Sequence, residues 1–300
     1  MGARVVYVDS SSTDGSAERA RTLGVDVVNL PGDRPFTAGR ARNFGFQRVR
    51  ELYPDAAFVQ FVDGDCEVAP DWLAFGMQYL RDHPDVGIVC GRRHERFPDQ
   101  SVYNLLCDIE WDSRIGDTDA CGGDFLVRAQ VFDAVGGFNG GLIAGEEPEM
   151  CYRIRRRGWR IFRADQPMTY HDAAITRFGQ WWNRTARSGY AYAARAALHW
   201  RDRQRYCWRE NARIVLSALA LPVLAIVLAI VVSPWWLCLL LAYPLQYVRM
   251  FAQMRASRSK EAALVYPFFV LLGRWAEFYG QMLLLVRYLR GAKQTIIEYK

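Results

Sequence analysis

Apolar and polar positions divide the first half of the chain into short strands separated by amphipathic helices. Residues 4–8 and 25–30 are brief runs rich in valine, each closed by residues that favour turns or helix caps. Between them a helical pattern reaches Leu23 and stops at Gly24, and a second runs from Thr37 to Leu52. The run Phe58-Val59-Gln60-Phe61-Val62 is apolar on both parities, the pattern of a strand covered on both faces, and it ends abruptly at Asp63-Gly64-Asp65. Strand, helix, strand, helix, strand is the order of a sheet wound by crossovers, so an α/β domain with a mostly parallel, Rossmann-like sheet flanked by helices is predicted.

Further along, Trp72, Leu73, Met77 and Leu80 mark an amphipathic helix over 70–81, and 86–90 returns as a strand. Residues 91–120 show little periodicity. Cys121-Gly122-Gly123-Asp124-Phe125-Leu126-Val127-Arg128 leads into a short helix and then into the glycine-rich 136–141, read as a mobile loop able to close over a substrate. Gly145-Glu146-Glu147-Pro148-Glu149 opens a helix, with proline near its start and acids at its positive end. Arg155, Arg156 and Arg157 fall in its last turn as a solvated face, and Gly158 ends it. A strand around 159–162 precedes Tyr170-His171-Asp172.

The second half has a different texture. From residue 180, Trp181, Trp182, Tyr190, Tyr192, Trp200, Tyr206 and Trp208 interleave with Arg184, Arg187, Arg195, Arg201, Arg203, Arg205 and Arg209, a mixture suited to a helix at a bilayer surface. Residues 214–232 are long and apolar enough to cross a bilayer, Ser233-Pro234 turns the chain, and 235–248 is a shorter apolar run. Residues 265–286 are apolar but hold Arg274 and Glu277 at i,i+3, which reads as an interfacial or bundled helix, with a third span as the rival. The predicted organisation is a catalytic α/β domain over 1–190, a basic and aromatic linker over 191–212, and a membrane region over 213–300.

Charge sharpens that division. Residues 1–180 hold 21 Lys and Arg against 27 Asp and Glu, whereas residues 181–300 hold 17 against 5. The basic excess flanks apolar segments, so its expected partner is anionic membrane lipid and not nucleic acid. Arginines crowd before Ile214 and recur at Arg249, Arg255 and Arg258, which by the positive-inside rule puts both flanks of the apolar hairpin, and the tail around Lys293, in the cytosol. The seven cysteines are odd in number and include no C-x-x-C pair, as in a reducing compartment.

Carboxylates beyond the end of a buried strand are ligands that a hard divalent cation prefers, and open α/β sheets bind ligands at such strand ends. An isolated Asp-Gly-Asp is more often a solvated turn. Here it stands in a series. Asp9-Ser10-Ser11-Ser12-Thr13-Asp14-Gly15, Ala41-Arg42-Asn43, Asp63-Gly64-Asp65 and Gly145-Glu146-Glu147 arrive in the order found in family 2 glycosyltransferases, and residues 5–190 resemble that family, which has the nucleotide-diphospho-sugar transferase (GT-A) fold.

The resemblance implies an inverting transfer from a nucleotide-diphospho-sugar to a lipid-linked or other saccharide acceptor near the membrane. In it Asp9, Arg42 and Asn43 serve the nucleotide side, Asp65 holds Mg2+ or Mn2+, Asp63 faces the ribose or sugar or shares the metal, and Glu147 is the base. Asp124, where the family often has Asn, belongs near the donor sugar or acceptor, or else caps the helix after it. His171 is a further candidate for the metal. The expected setting is the cell (inner) membrane, with the catalytic domain cytosolic and a role in cell-surface polysaccharide or glycolipid synthesis. Three departures stand out: the family's opening βα unit with its Pro-x-x-Asn turn has no counterpart ahead of residue 4, Ser10 replaces the second acid of the first turn, and Glu147 replaces aspartate. The first leaves two expectations, a true start upstream or a catalytically inactive, membrane-tethered binding protein.

Overall fold

The computed structural model describes residues 4–33, 35–202 and 206–291. Arg203 and Arg205 of the basic, aromatic stretch and Lys293 of the tail lie outside the described residues. The described chain forms two compact units, one of residues 1–96 and 111–172, the other of 97–110 and 173–300.

The first unit begins with β1 (Val6–Asp9), α1 (Ser16–Thr22), β2 (Asp26–Asn29) and α2 (Ala38–Leu52), close to the predicted bounds. Strands β1 and β2 pair in parallel. Thr37 caps α2 as its sequence position suggests, accepting a hydrogen bond from Arg40 N–H at 3.2 Å. Then follow β3 (Phe58–Phe61), β4 (Cys66–Val68), α3 (Trp72–Asp82) and β5 (Val86–Glu95). The second unit contributes α4 (Val102–Trp111, its last residue grouped with the first), a helix within the stretch where no periodicity was legible. The first unit resumes with β6 (Gly116–Asp117), β7 (Phe125–Arg128), α5 (Ala129–Val135), α6 (Glu146–Arg156) and β8 (Arg160–His171).

The larger sheet runs β3-β7-β5-β8-β4, with β6 on β8. It is mixed and not mostly parallel: β5 and β8 are parallel, while β7 enters antiparallel between β3 and β5, and β4 and β6 lie antiparallel to β8. Crossover order in the first sixty residues says nothing about strands inserted later, and β7 arrives from a loop. Aromatic rings fill the space beneath α2 and α5: Phe61 packs on Phe125 and Phe132 with centroids 5.1 and 5.0 Å apart, and Phe46 sits 4.4 Å from Phe132. Trp72 and Leu80 of α3 are fully buried on the same core.

Two strands are longer than their apolar runs. β8 continues through Asp165, Gln166 and Pro167 because a register shift against β5, between Cys90 and Arg92, takes up the extra residues. Gly91 makes that shift feasible, since a side chain there would bring its Cβ within 2.4 Å of the Gln166 carbonyl oxygen.

In the second unit, α7 (Phe178–Leu198) buries Trp181, Ala186, Gly189 and Tyr190, so two of the aromatic residues assigned to a bilayer surface face protein instead. They pack with α11 (Lys260–Leu289), whose Gly280 meets the α7 backbone so closely that a Cβ would fall 1.9 Å from Ala186 O. Gly189 is matched reciprocally, 1.9 Å from Glu277 O. Between them lie α8 (Trp208–Val215), α9 (Leu221–Val231) and α10 (Ala242–Arg255). Among the described residues, two continuous helices are long and apolar enough to cross a membrane, Trp208–Val231 and Lys260–Leu289. The second is the segment read as interfacial or bundled. The run over 235–248 is divided between a 3-10 segment, Pro234–Leu241, and the 14-residue α10.

Candidate active site

The Asp63-Gly64-Asp65 turn joins β3 to β4, and the β4–β8 register sets Cys66 opposite His171. That pairing brings His171 Nε2 to 3.3 Å from Asp65 Oδ2. Asp65, Cys66 and His171 offer ligand atoms close enough for one ion. The carboxylate suits Mg2+ or Mn2+, the imidazole favours the transition metal Mn2+, and at 3.3 Å the two atoms are spaced as neighbouring ligands of one ion are. His171 Nδ1 is buried without a hydrogen-bond partner among the described residues, while Trp111 packs edge-on against the ring at 5.0 Å and limits its rotation.

Asp63 turns the other way. It pairs with Arg42 and stands 3.5 Å from Arg93, which in turn binds Asp124 at 2.7 Å. Burial alone would raise the Asp63 carboxyl, but Arg42 and Arg93 outweigh it and hold it below the ordinary value. The same balance raises Arg42, where the charges of Asp63 and Glu146 overcome the cost of burial. Asp63 therefore sits with the arginines, and Asp65 is the acid presented to His171.

Asp124 is completely buried, accepts two hydrogen bonds, from Asp63 N–H at 2.9 Å and Thr169 O–H at 2.8 Å, and forms an ion pair with Arg93. It locks the ends of β3, β5 and β8 together and does not cap α5, whose N-cap is Arg128. Gly123 beside it must lack a side chain, because a Cβ would lie 2.4 Å from Asp63 Oδ2 and 3.1 Å from an Arg42 nitrogen. Arg93 is the member of this cluster that sequence reading missed. Its signal was the charged continuation of β5 through Arg92, Arg93 and His94, which resembles a loop.

The three acids in the first turn of α6 take three different partners. Glu146 Oε1 accepts from Arg42 at 3.0 Å, Glu149 pairs with Arg153 at 2.8 Å, and Glu147 points into a pocket of thiols. Glu147 Oε1 accepts the Cys121 backbone N–H at 2.6 Å and faces the Cys121 and Cys151 sulfurs at 3.0 Å each. All three residues are buried. Glu147 Oε2 accepts no hydrogen bond from the described residues.

Asn43 and Asp9 are occupied by backbone. Asn43 Nδ2 donates to Phe138 O and its Oδ1 accepts from Phe138 N–H, both at 2.8 Å, which pins the glycine-rich segment read as a mobile loop. Thr37 O–H adds a bond to Gly140 O at 3.1 Å. Asp9 is buried and accepts from Ser11 N–H at 3.1 Å and Ser12 N–H at 3.2 Å, closing the first turn on itself. Arg42, Asp63, Asp124 and Glu146 are thus brought together and Asp65 joins His171, while among the described residues Asn43 and Asp9 form no hydrogen bond or ion pair with either group.

Residues 2–132 match the family model described as glycosyl transferase family 2. Succinoglycan biosynthesis protein ExoA of Rhizobium meliloti (strain 1021) is 25% identical over 193 residues, covering 58% of this chain and 56% of its own length. Glycosyltransferase AglE of Haloferax volcanii is 25% identical over 177 residues, covering 56% of each chain. This chain therefore spans little more than half the length of the curated relatives it matches. Among solved structures, the mannosyltransferase PcManGT from Pyrobaculum calidifontis, in complex with GDP-Man and Mn2+, superposes with a TM-score of 0.57 at 19% identity, over 94% of this chain and 77% of that one. The shared architecture is the GT-A fold.

Proposed function

From a glycosyltransferase family 2 domain on a GT-A fold, we propose an inverting, single-displacement transfer of a sugar from a nucleotide-diphospho-sugar to a lipid-linked or membrane-proximal acceptor. The observation that carries this reading is the meeting of Asp65 and His171 at the carboxyl ends of β3 and β8, beside the ion-pair cluster of Arg42 and Arg93 and an acidic helix start. Asp65 and His171 would hold Mn2+ or Mg2+, and a bound cation supplies charge to neutralise the departing diphosphate. Arg42 and Arg93 orient Asp63 toward the donor, with Asp124 as the buried brace behind them. Asp9 keeps its proposed place on the nucleotide side.

Glu147 is proposed as the base. Arg42 already compensates the charge of Glu146, which commits that carboxylate to the ion pair. Glu147 is held through one oxygen by neutral donors, which leaves the other to receive a proton from the acceptor hydroxyl. For a membrane-associated acceptor the support is compositional: two apolar helices, a basic second half and a relative named for succinoglycan biosynthesis favour a role in cell-surface polysaccharide or glycolipid assembly at the cell membrane, with the catalytic unit cytosolic.

The test is a panel of UDP-glucose, UDP-galactose, UDP-N-acetylglucosamine, GDP-mannose and dTDP-rhamnose offered to membranes containing the full chain, with and without Mn2+. Release of nucleoside diphosphate from at least one donor, dependent on the metal and stimulated by membrane lipid, is expected. Silence across the panel in membranes that bind GDP or UDP would favour the inactive, tethered binding protein.

A further inference from the structure

Glu147 is a buried carboxylate with no cation within salt-bridge distance among the described residues, unlike Glu146 and Glu149 on the same helix turn. Such a group needs compensation from donors. It obtains three, all on Oε1: the Cys121 N–H and the two thiols. Cys151 follows Glu147 by four residues, so α6 sets both on one face. Cys121 comes from the segment that leads into β7, just ahead of Gly123 and Asp124, where the donor-side cluster is built.

We propose that Cys121 and Cys151 are positioning residues whose thiol protons hold Glu147 Oε1 and so aim Oε2 at the acceptor hydroxyl. The inference rests on Glu147 being the base, as argued above. Each thiol has a single proton to give. With both directed at Oε1, the 3.4 Å separation of the two sulfurs is a packing contact. Burial keeps both thiols protonated: it pushes Cys151 up to about 11, and Cys121 well above its ordinary value with help from the neighbouring Cys151 and the charge of Glu147. A neutral donor to a carboxylate favours the ionised form without an ion pair that would tie it up, the condition a base requires.

The other titratable and charged groups around this pocket are few. Cys90 on β5 is buried and held protonated, pushed up to about 12 by burial. Arg163 on β8 donates to Gly91 O at 2.7 Å and reaches Cys121 O at 3.5 Å. Glu146 is neutralised by Arg42. None of them replaces a donor lost from Cys151.

The experiment uses the full chain in membranes and whichever panel donor turns over. Cys151→Ala removes a donor and Cys151→Ser keeps one. Cys151→Ala should lower kcat roughly tenfold with donor KM unchanged, as expected for the loss of one hydrogen bond to a charged group, and should move the acid limb of the kcat–pH profile to higher pH. Cys151→Ser should recover most of both. Cys121→Ser tests the second thiol, its backbone N–H being untouched. A purely structural role would lower Tm and leave the acid limb where it is in wild type, and that result overturns the inference. Wild-type kcat in Cys151→Ala beside an inactive Glu147→Gln also overturns it while leaving the base assignment standing. Full turnover in Glu147→Gln removes the base assignment and the inference together.

Discussion

Asn43 holds Phe138 by both ends of its amide, donating to the carbonyl and accepting from the N–H at 2.8 Å each, so a residue expected on the nucleotide side fastens a loop. Gly137 has φ +67 and would place a Cβ 2.5 Å from Asn43 Oδ1, so the grip depends on glycine there. Asn43→Ala should cost about 1–3 kcal/mol, because two buried backbone groups lose their partner, and should speed hydrogen exchange over 136–141. Asn43→Asp keeps the acceptor and loses the donor, and should fall between. Denaturant titration with hydrogen-exchange mass spectrometry measures both.

Asp65 and Asp63 should separate in a binding measurement. Asp65 faces His171, whereas Asp63 is engaged by Arg42 and Arg93. Asp65→Ala should abolish Mn2+-dependent binding of GDP or UDP by calorimetry, and Asp63→Ala should weaken it less while lowering thermal stability, since Arg42 and Arg93 each lose one of their two carboxylate partners. Equal affinity in wild type and Asp65→Ala would remove the metal assignment.

The depressed carboxyl of Asp63 has a consequence for acid stability. A carboxyl that binds its proton less readily folded than unfolded stabilises the fold above its unfolded value and loses that contribution as pH falls through the folded one. Wild type should therefore lose Tm as pH drops below the ordinary carboxylate range. Asp63→Asn should start lower and show a shallower acid slope. Thermal scans from neutral pH into acid decide it, and parallel slopes would contradict the assignment.

How much of this was visible beforehand depended on what each feature looks like as a string. Gly158 as a stop and a strand before Asp63 follow from local chemistry and appear as read, but that strand lies at the sheet edge with only Phe61 buried, where its apolar run suggests cover on both faces. His171 was visible only as a residue past a strand, because Asp165-Gln166-Pro167 breaks the apolar run that the β5 register shift carries through to it. Arg93 was hidden by the same preference for apolar strands. Asn43 matched a motif, yet its partner lies 95 residues away, and no local pattern reports that. The split roles of Glu146 and Glu147 likewise depend on Arg42 and Cys121, which only the fold brings near.

The crossing of α7 and α11 predicts intolerance of side chains at two glycines. Gly280→Leu or Gly189→Val would drive a side chain into facing backbone, which cannot yield as a flexible side chain would. Each should cost at least about 1–3 kcal/mol and lower Tm in detergent, whereas Gly179→Ala, with open space around it, should be nearly neutral. Equal Tm values for all three variants would mean the helices do not meet this way.

Paired turnover measurements on Glu147→Gln and Glu146→Gln decide whether sugar transfer uses Glu147 as its base. Glutamine is nearly isosteric and retains an acceptor for the Cys121 N–H, but it cannot take a proton. Glu147→Gln should keep donor affinity and Tm close to wild type while losing roughly 10²–10⁴-fold in kcat, the usual size of a general-base contribution. Glu146→Gln weakens the Arg42 pairing and should act mainly through donor KM and stability, with a much smaller effect on kcat. Small, equal losses in both variants, tracking a drop in Tm, would contradict the account and return Glu147 to a structural place at the start of its helix.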